Sequence, residues 1–217
     1  MGVRVRVNPR ARRMALRVDP RDGDVVLTWP VRGSVKAAEK FIGENTRWIE
    51  ERRQKRVSAQ LFADGMTVTV YGRPFTITHT AGRGLTRFDD DKLIVHGQPE
   101  HLPRRVRDFL KDCARSVIEE KAGEKLEQIG RLPKDIRIID PKSRWGSCSP
   151  DGSMMFSWRL VLTPPFVLDY VVAHEVAHCT HMNHGKKFWA LCDQLAEDMT
   201  DAKRWLKTHG TTVMAYQ

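Results

Sequence analysis

The 217-residue sequence contains no uncharged apolar run near the roughly 18 residues that a membrane-spanning helix needs. Its opening, MGVRVRVNPRARR, has neither the hydrophobic core of a secretory signal nor the serines of a transit peptide, so the expected address is the cytoplasm. Cysteine is scarce. Cys113, Cys148, Cys179 and Cys192 form no C-x-x-C pair. A chain of this length does not need disulfide staples, and all four are expected as reduced thiols. No internal repeat and no low-complexity linker occurs, which argues against a solenoid or a tethered array. Acidic residues are also short, 27 against 37 Lys and Arg, for a net charge of +10.

The hydrophobic share of 41% and the charged share of 29% describe a soluble, globular chain rather than a disordered one. The charge excess is concentrated at the start, where Arg4, Arg6, Arg10, Arg12, Arg13 and Arg17 precede the first acid, Asp19. One reading is a solvated strand face, with the valines of Val3–Val7 pointing one way and the arginines the other. The other is contact with nucleic acid or another acidic partner.

Alternation predicts strands at Val3–Val7, Met14–Val18 and Val25–Trp29, the last two forming a hairpin about a turn from Pro20 to Gly23. Ser34 is placed to cap one helix running through Val35, Ala38, Phe41, Ile42, Trp48 and Ile49. It ends in the charge run Glu50–Arg56, read as solvated surface. Strands follow at Met66–Tyr71, Phe75–Thr80 and Lys92–Val95, separated by glycine-rich loops. Residues 1–99 are therefore expected as a β-rich N-terminal region with one helix, and residues 100–217 as a second domain.

That domain should open with a long helix over about 100–129, buried along Val106, Phe109, Leu110, Cys113, Val117, Ile118 and Leu126 and ended by Gly130 and Pro133. A strand at Ile136–Ile139 and a hairpin of Arg144–Cys148 with Ser153–Trp158 come next. Thr163 should cap a helix with Pro164 in its first position. Two shorter helices, about 185–197 and 199–208, close the chain.

The chemistry lies in HEVAHCTHMNH, residues 174–184. His174 and His178, four apart on a helix, stand about 6 Å from each other on one face. Both imidazoles can reach one Zn²⁺ at roughly 2.0–2.1 Å. Glu175 lies about 100° round the helix, where it can take a proton from a water on the metal. A catalytic zinc takes three protein ligands and keeps one open position, so the third ligand must come from a second direction. His184 meets that need, because Asn183 and Gly185 beside it favour a break by a left-handed turn. His181, if still helical, would stack a further turn along the same face. Cys179 follows His178 and is a second candidate ligand, but it points off the ligand face, which favours a packed thiol.

The segment YVVAHEVAHCTHMNHGKKFW, from Tyr170 to Trp189, resembles the YgjP-like metallopeptidase domain, a family akin to the SprT-like zinc proteases. Arg144-Trp145-Gly146-Ser147-Cys148 resembles that family's R-W-G-S-C motif, and the Arg-rich first hairpin and the helix reaching Trp48 and Ile49 resemble its front region. Val176 stands where leucine is usual and Gly185 where serine is common. The resemblance implies an α+β fold with a zincin-like metallopeptidase core, a small mixed sheet packed on the metal-binding helix. It implies one Zn²⁺ held by His174, His178 and His184, with Glu175 as base. It also implies an edge strand at about 153–158 that pairs with an extended peptide substrate.

Hydrolysis also needs a group that stabilises the oxyanion. Arg144, Tyr170 and His181 are the candidates, each with an alternative role: a buried hydrogen-bond anchor, a core ring and solvated surface. Trp145, Phe188 and Trp189 read as core. The leading expectation is a zinc metallopeptidase acting on peptides or proteins, including nucleic-acid-associated ones. A metal-dependent hydrolase of nucleotide phosphoanhydrides is second, disfavoured by a site lacking the extra carboxylates usual for Mg²⁺. A nucleic-acid-binding module with a structural zinc is third, disfavoured by Glu175, since structural zinc usually closes with cysteine.

Overall fold

Residues 2–19, 23–31, 33–54 and 58–217 are described in a computed structural model of the chain. The fold is α+β, with three small mixed sheets and, among the described residues, six α-helices. No described helix is long and apolar enough to cross a membrane. The chain divides into two units, Met1–Ala59 and Gln60–Gln217.

In the first unit β1 (Val3–Val7), β2 (Ala15–Val18) and β3 (Val25–Trp29) form a sheet in the order β1-β3-β2, with β1 parallel and β2 antiparallel to β3. The predicted hairpin is present, but Pro20, Arg21 and Asp22 of its turn lie outside the described residues. Val25 and Leu27 turn inward and are buried. Val5 and Val7, on the edge strand, remain 55% and 60% exposed, so the valine face of β1 is not buried as its alternation suggests. Ser34 caps α1 (Val35–Glu44) by accepting the Ala37 N–H. The single helix expected here is two. The Asn45 amide donates to the Phe41 carbonyl and the Thr46 hydroxyl to those of Ile42 and Gly43. These side chains compete with the next backbone N–H groups, and the chain bends before α2 (Thr46–Gln54). The charge run is exposed through Gln54; Lys55 and Arg56 lie outside the described residues.

The second unit begins with β4 (Thr67–Val70), β5 (Arg73–Thr80), β6 (Arg87–Asp89) and β7 (Lys92–His96), ordered β4-β5-β7-β6. The short β6 carries no apolar alternation and was not expected. It pairs with β7 through a tight turn in which Asp90 takes a φ of 51°. α3 (Leu102–Gln128) buries Leu102, Val106, Leu110, Ala114, Ile118, Ala122 and Leu126 at helical spacing. Those residues share one core with Val68, Val70, Ile77, Leu93 and Val95 of the sheet. The division expected at 99/100 therefore falls inside the second unit, because the strands of 67–96 have no separate core to close.

β8 (Ile136–Ile139), β9 (Gly146–Cys148) and β10 (Met154–Ser157) form the third sheet, ordered β8-β10-β9. β10 pairs with β8 on one side and β9 on the other, so the segment expected as an edge is central and β9 is an edge instead. A 3-10 turn over Trp158–Leu162 leads to α4 (Pro165–His178). Thr163 does not cap α4. Its hydroxyl donates to the Leu160 carbonyl within that turn, and Pro164 takes the cap position. The β4–β5 turn abuts the start of α4, where a Cβ on Gly72 (φ 81°) would stand 3.0 Å from Pro165 Cδ. α5 (Lys186–Leu195) and α6 (Met199–Met214) complete the unit.

α4 is apolar on nearly every side and lies in the interior. Its one buried acid away from the HExxH motif, Asp169, is matched by charge. Asp169 Oδ1 is 2.6 Å from Lys125 Nζ of α3, and Oδ2 accepts the Glu197 N–H at 2.8 Å. Lys125 also donates to the Leu195 carbonyl at the end of α5, 2.6 Å away. This buried pair ties α3, α4 and the α5–α6 connection together. Lys125→Met leaves the carboxylate buried without its cation and should cost about 3–5 kcal/mol, while adding Asp169→Leu should restore part of the loss. Urea denaturation of the three proteins measures both effects.

Candidate metal centre

α4 carries His174, Glu175 and His178 at its C-terminal end and stops there. Cys179 is the C-cap, and the N–H groups of Thr180 and His181 fold back to the Ala177 carbonyl. The break therefore precedes Asn183, where it was expected. Neither Asn183 nor Gly185 adopts a positive φ, and Gly185 instead occupies the N-cap position of α5. The consequence foreseen for His184 still holds, because the chain reverses earlier and returns the ring toward α4.

His174, His178 and His184 come together, with one ligand nitrogen from each lying within 4.8 Å of the others. The Nε2 atoms of His174 and His184 face each other at 3.1 Å. Nitrogens around a tetrahedral ion with bonds of 2.0–2.1 Å are about 3.4 Å apart, so the cluster needs only small adjustment to take one. His178 Nδ1 lies 3.1 Å from the His181 carbonyl, which as an acceptor fixes the Nδ1–H tautomer and leaves the Nε2 lone pair free. Burial, reinforced by the charges of His178, His184 and Lys203, holds His174 down at about 4. Burial also lowers His178 against the opposing pull of the His181 carbonyl. Both effects favour neutral imidazole, the ligating form. The donor set thus fits a single borderline-soft cation with an open side, since no thiol belongs to the cluster.

Phe188, fully buried, forms the floor of the cluster. Its ring centroid is 4.9 Å from that of His174, 4.5 Å from His178 and 4.6 Å from His184. Trp189 stands at the side, 5.8 Å from His174 and 5.5 Å from His184. Phe188 is core, as expected, and Trp189 packs against that core half-buried; their contact with the histidines is what the sequence reading lacks.

Glu175 is buried against β9. A Cβ on Gly146 would fall 2.6 Å from Glu175 Oε1 and 2.7 Å from its Cγ, so the absence of a side chain there makes room for the carboxyl. Burial, with a lesser effect from Cys179, pushes that carboxyl up to about 7. A dication on the imidazoles favours the carboxylate and draws this value down. Cys148 Sγ lies 3.9 Å from Cys179 Sγ, so Cys179 turns to β9 and away from the histidines, as a packed thiol. The Cys148 hydrogen bond lowers Cys179 to about 7 and raises Cys148.

The three oxyanion candidates occupy different places. Tyr170 packs edge-on to His174 at 6.0 Å, and burial raises its hydroxyl to about 12, which keeps it a donor. His181 enters through its backbone carbonyl. Arg144 is exposed, not buried, and lines a cavity of about 90 Å³ with Trp145, Ser147 and Met155. Ser147 and Met155 alternate with Gly146 along β9 and its partner strand, so that cavity opens on the sheet face turned away from Glu175.

Residues 12–209 match the family model of the YgjP-like metallopeptidase domain. No curated protein and no solved structure matches the chain.

Metal content should separate the two histidines that follow the helix. His184→Ala removes one of three converging nitrogens and should lower zinc affinity by orders of magnitude, whereas His181→Ala preserves the carbonyl on His178 and should bind as the parent does. Equilibrium dialysis with elemental analysis makes the comparison.

Proposed function

The chain belongs to the YgjP-like metallopeptidase family, and on that premise we propose a zinc-dependent peptidase with His174, His178 and His184 as ligands and Glu175 as general base. The observation that supports this most strongly is the convergence of three imidazoles beside the buried Glu175 carboxyl. Family membership implies a metal-dependent hydrolase with a peptide or protein substrate.

A bound zinc would supply the Lewis acid that makes water acidic near neutral pH and polarises the scissile carbonyl. The chain's own groups do the rest. Glu175 accepts a proton at its carboxylate and returns it to the leaving amine. The wall of β9 holds it there, since Gly146 leaves its carboxyl a single slot. The Tyr170 hydroxyl, kept protonated on a ring that packs against His174, is the proposed donor to a developing oxyanion. β9, an edge strand that also walls Glu175, offers its outer backbone groups to an extended peptide, in place of the central segment 153–158.

Glu175→Gln should retain the metal and lose at least about 10²-fold in kcat on casein or a quenched-fluorescence peptide. Full activity at full metal occupancy would remove Glu175 from the chemistry. Gly146→Ala should likewise keep the metal and the fold, because Gly146 has no positive φ. Its new methyl displaces the Glu175 carboxyl, and kcat should fall by up to about 10²-fold. Hydrolysis of nucleoside triphosphates in place of peptides, measured on the same zinc-loaded protein, would contradict the peptidase reading.

A further inference from the structure

Lys203, on α6, holds its ammonium 3.9 Å from the centroid of the Trp189 ring and 5.8 Å from that of Tyr170. Both rings pack on His174, at 5.8 Å and 6.0 Å. An exposed lysine is thus held at the rim of the histidine cluster by two aromatic faces. The rings attract the cation without neutralising it. Its helix neighbours Asp201 and Arg204 pair with each other at 3.0 Å, and among the described residues no carboxylate stands within ion-pair reach of Lys203. The segment that brings in His184 adds exposed Lys186 and Lys187, while Glu175, the acid of the motif, is buried. A cation beside a site whose own carboxyl is buried attracts negative charge from outside.

We propose that Lys203 is a specificity-determining residue that receives a substrate carboxylate, from an acidic side chain beside the scissile bond or from a free C-terminus. The proposal rests on the peptidase reading of this site. Because the ammonium is already held over the Trp189 and Tyr170 rings, less side-chain entropy is lost when the carboxylate arrives, and the ammonium acts as a fixed point charge. Lys203 does not take part in bond cleavage; it sets which peptides are held.

The test is a binding measurement by isothermal titration calorimetry in the zinc-loaded Glu175→Gln protein, with four peptides of one sequence as probes. Three are blocked at both ends and carry Asp, Asn or Lys at one position; the fourth carries Asn with a free C-terminal carboxylate. The Asp peptide, the free-carboxylate peptide or both should bind about five-fold more tightly than blocked Asn, and the difference should shrink as salt rises. Which of the two gains identifies the source of the carboxylate. Lys203→Met keeps the apolar cover on Trp189 and should abolish the preference, and Lys203→Glu should turn it toward the Lys peptide. Equal binding of all four peptides, no measurable binding of any, or a preference that survives Lys203→Met would overturn the proposal. Peptide hydrolysis by the parent protein is scored separately: cleavage without charge preference defeats this inference alone, and absence of cleavage defeats the peptidase reading.

Discussion

A helix apolar on nearly every side must be buried, and the burial of α4 is the constraint from which the rest of the second unit follows. It brings polar groups into the interior, and each is answered by a particular partner. Asp169 is met by Lys125 and the Glu197 N–H. The tautomer of His178 is set by the His181 carbonyl. Glu175 occupies the slot left by Gly146. A helix of the same motif on the surface would need none of these partners, and its imidazoles would titrate in water near their ordinary value.

The same burial accounts for the electrostatics of the site. Desolvation pushes the two α4 histidines toward the neutral form and the adjacent carboxyl upward. The cluster is therefore short of positive charge at its centre, where a dication would restore it, while Lys203 stands over Trp189 at the rim. Phe188 closes the floor and excludes water from that side. The two nearby thiols face each other and leave the nitrogens to set the chemistry.

What the sequence reveals is what local geometry controls. His174, Glu175 and His178 are related by helical spacing alone, so their arrangement is legible without any fold. The hairpins and the stripe of α3 are legible for the same reason. The return of the His184 ring toward α4 has another ground than the one expected: α4 stops at Cys179 with the Thr180 and His181 N–H groups both on the Ala177 carbonyl, not through a left-handed Asn or Gly. Relations between distant segments were not legible. That β10 is central depends on a parallel pairing with β8. That residues 67–96 join the back half depends on α3 packing against their sheet. Lys203 lies 29 positions after His174 in the sequence, and nothing in its local pattern points to the rim of the site.

The central claim is that nitrogen alone, from three imidazoles, holds the metal and leaves one side open. X-ray absorption at the zinc edge of the metal-loaded protein tests it most directly. The account predicts a first shell of nitrogen and oxygen at about 2.0–2.1 Å, with the outer scattering of three imidazoles and no sulfur. A sulfur scatterer at about 2.3 Å would place a cysteine such as Cys179 on the metal and contradict the account.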